Sequence, residues 1–344
     1  MNIYYIIVFF ISFVVTYLLV PLNIRISKKW DLVDQPQPRK IHTVTTPITG
    51  GLSFGIPIII IQFLIYLIFP ESGSQFLYLA LGGSLMLLLG FLDDKTGITA
   101  NYKLIFQIII ISIIYFAGFN IQLLTNPFGE TIELGYFSFP ATILWFLLVV
   151  NAFNLIDGLD GLASGIALIV ATVLLAVGFL KSNTVIIFSS ITLIGANLAF
   201  LRYNFYPAKI FMGDTGSLFL GFNIAAISIM GKGEFKGITS MTILVPIIAL
   251  AIPIMDTTYA ILRRVNKKKN IFQADKEHIH HKLHEIGLSQ KNIALICYFI
   301  TLLFGLIAFG FSFSSKKVLL SILLFLLFIL IIVIYNIFKK EIKK

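Results

Sequence analysis

The chain has 344 residues, 58% of them apolar and only 12% charged, with a mean hydropathy of +0.95. A soluble domain is about a quarter charged, so this composition excludes a soluble globular protein and a disordered one. The net charge of +10 reads as membrane orientation rather than nucleic-acid binding, because basic residues collect on the cytoplasmic side of membrane proteins.

In chain order, apolar runs fall at 3–22, 50–69, 76–92, 102–119, 139–155, 162–180, 184–201, 217–230, 238–262, 292–311 and 318–337. Most reach the ~20 residues needed to cross the hydrocarbon. They must be helices, because lipid offers no partner to free backbone groups. The expected fold is all-α: a single polytopic membrane domain over 1–344 with about eleven spans. With the N-terminus outside and the C-terminus cytoplasmic, 21 of the 26 Lys and Arg residues fall on the inner side, the asymmetry the positive-inside rule requires. The first run has no basic n-region and no small-residue cleavage site, so it reads as a span rather than a signal peptide. The outer stretch 120–138, with its Asn-Pro-Phe-Gly, reads as a turn or small hairpin. The single cysteine, Cys297, has no intrachain partner and reads as a small buried residue.

The polar residues say more. Asp93 and Asp94 end the third run, Asp157 and Asp160 separate the fifth from the sixth, and Asp214 precedes the eighth. Three separate turns thus bring carboxylates to one membrane face. Adjacent acids raise each other's pKa unless a cation lies between them, and hard oxygen ligands suit Mg²⁺ or Mn²⁺. Asn151, Asn154, Asp157 and Asp160 are spaced by three and, if helical, form one drifting polar stripe. A helix cap needs one such residue, not four. Gly213-Asp214-Thr215-Gly216-Ser217 opens a helix with N–H groups, hydroxyls and a carboxylate. That set suits a metal–phosphate pair, and a plain N-cap is the alternative.

Two basic loops share this face. His278, His280 and His281 lie near Arg263, Arg264, Lys276 and Lys282. With no Cys partner and no His pair flanking a Glu, they read as anion contacts before zinc ligands. Arg39, Lys40 and His42 form the second group, with anchoring to anionic lipid as its alternative reading. Acids for a metal and bases for anions together imply a phosphate or diphosphate substrate, and phosphoryl transfer depends mainly on positioning and charge neutralisation. The rival is an anion or phosphosugar transporter. It should place polar groups near the midplane and often shows inverted repeats. Here the acids gather at one face and no repeat is visible.

These motifs resemble the polyprenyl-phosphate N-acetylhexosamine-1-phosphate transferases. The matching segments are Asp34 to His42 with Pro47 and Gly50-Gly51, Gly90 to Asp94, Asn151 to Gly161, Gly213 to Ser217, and Asp275 to His281. They span most of the chain, in the family's order. The His-Ile-His-His loop and the eleven spans resemble the branch using UDP-N-acetylglucosamine more than the muramoyl-pentapeptide branch. The resemblance implies a reaction of UDP-GlcNAc with undecaprenyl phosphate, giving GlcNAc-diphospho-undecaprenol and UMP, with another UDP-N-acetyl sugar as the alternative donor. It implies a bacterial plasma membrane, the start of a surface polymer such as teichoic acid or O-antigen, and inhibition by tunicamycin. Loops near 23–49, 93–101, 151–161, 202–217 and 263–291 would be cytoplasmic and catalytic. Asp214, Asp93 and Asp94 would hold Mg²⁺ (or Mn²⁺), and Asp93, Asp94 and His281 would be catalytic. Arg39, Lys40, His42, Asn151, Asn154, Asp157, Asp160, His278 and His280 would contact substrate. The partners are the nucleotide sugar, the lipid phosphate and the bilayer; a homodimer is a further expectation, and nucleic acid is not a partner.

Overall fold

In the computed structural model, the structure describes residues 2–35, 45–69, 74–125, 131–230, 254–255, 287–310, 321 and 324–325. The described chain is mostly helical. Its helices are α1 (Asn2–Lys29), α2 (Gly50–Ile68), α3 (Gln75–Thr96), α4 (Ala100–Phe116), α5 (Ser138–Ile156), α6 (Leu162–Leu180), α7 (Thr184–Asn204), α8 (Gly213–Ile229) and α9 (Gln290–Gly310). Seven of these are long and apolar enough to cross a membrane, while α4 and α8 are shorter, at 17 residues each. The runs expected at 238–262 and 318–337 lie outside the described residues, apart from Ile254, Met255, Ser321, Leu324 and Phe325.

The helices extend past the apolar runs wherever polar residues find partners. Charge does not end a helix; it only has to leave the hydrocarbon. So α1 continues through Pro21 to Lys29, where Asn23 donates to Thr49 O at 2.6 Å and to Ser53 Oγ at 2.9 Å. Likewise α3 continues through Asp93 and Asp94 and stops only at Gly97, whose φ of +67° favours glycine. The hairpin expected within 120–138 is present as β3 (Leu123–Thr125) paired antiparallel with β4 (Thr131–Glu133). On the opposite face, β1 (Val33–Asp34) pairs with β2 (Thr46–Pro47). Cys297 is buried, as its apolar setting implied.

Helix α8 is the central post, buried at every residue from Thr215 to Ile229, with α2, α3 and α5 around it. A helix buried on all sides in a membrane protein packs through small residues, because lipid gives no hydrophobic drive for association. Gly51 meets the backbone of Gly216, and Gly90 meets the backbone of Asp214 and Thr215. Polar side chains add cross-links: Trp145 Nε1 donates to Ser228 Oγ at 3.1 Å, and Gln62 Nε2 to Asn223 Oδ1 at 2.9 Å. The outer shell follows, with α1 and α6 on α7, and α9 on α6.

A Cβ on Gly90 would fall on the Asp214 carbonyl and 2.6 Å from Thr215 Cα. Backbone cannot yield as a side-chain tip can, so Gly90→Ala should destabilise by roughly 1–3 kcal/mol. Its detergent-solubilised melting temperature should fall; an unchanged value would contradict the close approach of α3 to α8.

Candidate active site

Helix α8 begins inside the protein, so its first N–H groups need acceptors. Asp94, from the last turn of α3, supplies them. Its Oδ1 accepts from the Asp214 N–H at 2.8 Å, and its Oδ2 accepts from the Thr215 N–H at 2.9 Å and the Thr215 hydroxyl at 2.5 Å. This is an N-cap delivered from another helix, with the negative charge also matching the positive end of the helix dipole. Gly213 makes room for it: its φ is +69°, and a Cβ there would lie 2.5 Å from Asp94 Oδ2. The backbone donors expected to meet a phosphate are therefore taken by Asp94.

With α8 anchored, Asp214 points toward α4 and α5. Lys103, in the first turn of α4, bridges two carboxylates: its Nζ is 2.8 Å from Asp93 Oδ2 and also pairs with Asp214 Oδ2. Asn154 completes the group, donating to Asp214 Oδ1 at 2.7 Å and to Ser217 Oγ at 3.0 Å. Its own Oδ1 lies 3.4 Å from Lys103 Nζ. Lys103 is the functional residue that sequence reasoning missed. Counted only as an inner-side base, it stands in the opening turn of an otherwise apolar helix, and an ionisable residue in that place needs a partner.

The polar stripe is divided. Helix α5 ends at Ile156, so Asn151 and Asn154 are helical while Asp157 and Asp160 lie in the following turn. Asn151 turns away from the acids and donates to Gln107 Oε1 at 3.0 Å and to Leu147 O at 2.8 Å. Asp160 Oδ2 accepts from the Ala208 N–H at 2.9 Å. Asp157 makes no hydrogen bond or ion pair among the described residues. Burial, then the carboxylates of Asp214, Asp94 and Asp160, push its carboxyl well above the usual range. From α9, Tyr298 donates to the Gly161 carbonyl at 2.5 Å and closes the far side of this turn.

Two carboxylates, Asp93 and Asp214, thus hold one ammonium, and the carboxylates of Asp94 and Asp157 stand near that of Asp214. The excess negative charge and the oxygen donors fit a hard divalent cation. Among the described residues no three His, Cys, Asp or Glu groups form a closed metal cage, and Lys103 occupies the place between Asp93 and Asp214. Arg39, Lys40, His42, His278, His280 and His281 lie outside the described residues. Pro47 and Gly51, which follow the Arg39–Lys40–His42 group in the chain, lie beside the start of α8, where the Phe211 N–H donates to Pro47 O at 2.8 Å and the Gly51 N–H to Met212 O at 2.9 Å.

Two substitutions should move stability in opposite directions. Asp94→Ala strands the Asp214 and Thr215 donors and should cost about 1–3 kcal/mol. Asp157→Asn removes an unpaired charge from a crowded acidic site. A carboxyl whose folded pKa is raised opposes folding above that pKa, so this variant should melt a few degrees higher near neutral pH. A lower melting temperature for Asp157→Asn would show that its carboxylate has a stabilising partner.

Residues 76–232, which contain the whole described cluster, match the model of glycosyl transferase family 4. The chain is 38% identical over 306 residues to the probable undecaprenyl-phosphate N-acetylglucosaminyl 1-phosphate transferase of Bacillus subtilis (strain 168), covering 88% of this chain and 84% of that protein. It is 32% identical over 324 residues to the decaprenyl-phosphate N-acetylglucosaminephosphotransferase of Mycobacterium leprae (strain TN), covering 86% and 80%. It is also 32% identical over 318 residues to the phospho-N-acetylmuramoyl-pentapeptide-transferase of Caldicellulosiruptor bescii, covering 87% and 94%. The chain is therefore a membrane enzyme that belongs to glycosyl transferase family 4, among the polyprenyl-phosphate N-acetylhexosamine-1-phosphate transferases.

Proposed function

We propose that this enzyme transfers N-acetylglucosamine 1-phosphate from UDP-N-acetylglucosamine to undecaprenyl phosphate, giving GlcNAc-diphospho-undecaprenol and UMP. The observation that carries the reading is the Lys103 ammonium gripped by Asp93 and Asp214 where apolar helices end. The names of the relatives from Bacillus subtilis and Mycobacterium leprae, and Ile279 interrupting the histidine run, support N-acetylglucosamine over the muramoyl-pentapeptide.

An oxygen of the lipid phosphate attacks the donor's β-phosphorus. The bond from that phosphorus to the bridging oxygen breaks, and UMP leaves with the electron pair. The attacking monoester has a second pKa of ≈ 6, so it is mostly dianionic at neutral pH and needs little help from a base. Asp93 then serves alignment more than proton removal. Lys103 pairs with Asp93 and Asp214 and would offer its ammonium to the diphosphate oxygens. Asp157 faces the same space and would accept from donor hydroxyl or amide groups. Mg²⁺, or Mn²⁺ in its place, would be held by Asp214 with Asp93 and would neutralise diphosphate charge. The histidine loop and the Arg39–Lys40 loop would bring further cations to the phosphates.

The orientation proposed is N-terminus outside, C-terminus and site cytoplasmic, with eleven spans in a bacterial plasma membrane. The distribution of 21 of 26 basic residues to that side supports it. The product would start a surface polymer.

Purified protein should be given undecaprenyl phosphate, Mg²⁺ and in turn UDP-GlcNAc, UDP-GalNAc and UDP-MurNAc-pentapeptide. UMP release and lipid-linked product are expected chiefly with UDP-GlcNAc, blocked by tunicamycin. No product, or preference for the muramoyl donor, would overturn the reading. Lys103→Met should lower kcat by about a hundredfold or more, as loss of a positioned charge at a phosphoryl centre does. Lys103→Arg, which keeps the charge, serves as the folding control. Undiminished turnover in Lys103→Met would move the diphosphate elsewhere.

A further inference from the structure

A second pocket, of about 450 Å³, lies at the end of α7 on the same membrane face as the carboxylate cluster. Its charge has the opposite sign. Leu198 and Leu201 form its wall along the helix, Phe205 and Tyr206 line the turn that follows, and Arg202 and Lys209 stand at its edge. Both cations are exposed, and neither forms an ion pair with a carboxylate among the described residues. Asp160, the acid of the neighbouring turn, accepts from the Ala208 N–H at 2.9 Å.

The two halves of the pocket call for one kind of molecule. Helix α7 is long and apolar enough to span a membrane, so its last turn lies where hydrocarbon gives way to headgroups. Leu198 (41% exposed) and Tyr206 (44%) leave apolar surface open there. A water-soluble anion would satisfy the cations and leave this wall bare. A neutral lipid would cover the wall and leave the cations unpaired. A molecule with a phosphate and an acyl chain a few bonds apart satisfies both. Basic pockets at helix ends select anionic headgroups in this way, and a guanidinium holds phosphate in two-point contact.

The pocket also shares a wall with the site. A Cβ on Gly161 would lie 3.1 Å from the Phe205 ring, so that ring covers the turn carrying Asp157 and Asp160. Asp160 ties the same turn to Ala208. Whatever fills the pocket restrains residues 205–209 and, through them, the Asp157 turn.

We propose that this pocket binds an anionic glycerophospholipid, with its phosphate between Arg202 and Lys209 and an acyl chain along Leu198 and Leu201. The proposal does not rest on the sugar donor or on the transfer reaction, and its primary readout is binding.

The full chain should be placed in nanodiscs of phosphatidylcholine with graded phosphatidylglycerol, and retained lipid measured by native mass spectrometry. The wild-type chain should keep phosphatidylglycerol in preference to phosphatidylcholine. The double variant Arg202→Gln, Lys209→Gln should bind it roughly thirtyfold more weakly, since each basic residue near an anionic headgroup contributes about a factor of five. Arg202→Lys, which keeps the charge, should retain the lipid. Excess soluble glycerol 3-phosphate should not displace it, because the wall needs a chain. Equal retention of both lipids by the wild type, or of phosphatidylglycerol by the double variant, would overturn the proposal. Displacement by glycerol 3-phosphate would overturn the lipid assignment and make this a site for small phosphates. If turnover is also followed, phosphatidylglycerol should raise it in the wild type and not in the double variant.

Discussion

The whole arrangement depends on the carboxylate of Asp94 meeting the first N–H groups of α8. A helix buried from Thr215 onward cannot leave those donors bare, because a buried donor without an acceptor costs free energy. The acceptor has to come from a neighbouring helix, at close range and with negative charge. That requirement explains why α3 continues past its apolar run to Asp94, why Gly90 and Gly213 carry no side chain, and why Asp214 emerges where it does. One capping contact therefore orients the acid beside which the chemistry is read.

Once Asp214 is placed, electrostatics decides its surroundings. Acids this close need a cation, and Lys103 supplies one from α4. Among the described residues one ammonium leaves the site negative, so a diphosphate, on the proposed function, would need more positive charge beside it. In the proposed function a divalent cation and the basic loops would supply it, which favours phosphoryl transfer over anion passage. Asp157, with no partner among the described residues, is costly to the fold and, on the proposed function, would be free to accept from the donor. Such unrelieved charge is what functional sites retain at the expense of stability. The pocket at Arg202 and Lys209 is its counterpart in opposite sign, a few residues along the same turn.

Much of this was legible in the sequence, for definable reasons. Apolar runs of membrane-spanning length are read directly, and scarce charges can be followed one by one, which is how Asp93, Asp94, Asp157, Asp160 and Asp214 were brought to one face. Helix ends were less legible, because polar residues at the boundary continue a helix when a neighbour satisfies them, as Asn23 and Asp94 do. Spacing also misled at Asn151, Asn154, Asp157 and Asp160: a period of three suggests one stripe, but the helix stops at Ile156 and Asn151 turns to Gln107. Nor could spacing separate Asp94, which holds backbone, from Asp93, which holds Lys103. Those roles depend on which helix stands opposite. Lys103 was hidden by its membrane side, where a basic residue already has an explanation in the positive-inside rule.

The most direct measurement is a structure of the full chain by electron cryomicroscopy with UDP-GlcNAc and Mg²⁺ bound. The diphosphate should lie within hydrogen-bonding reach of Lys103 Nζ and beside Asp214, with Asp94 still on the Asp214 and Thr215 N–H groups. A diphosphate seated directly on the α8 N-terminus with Asp94 displaced, or bound away from Lys103, would contradict it.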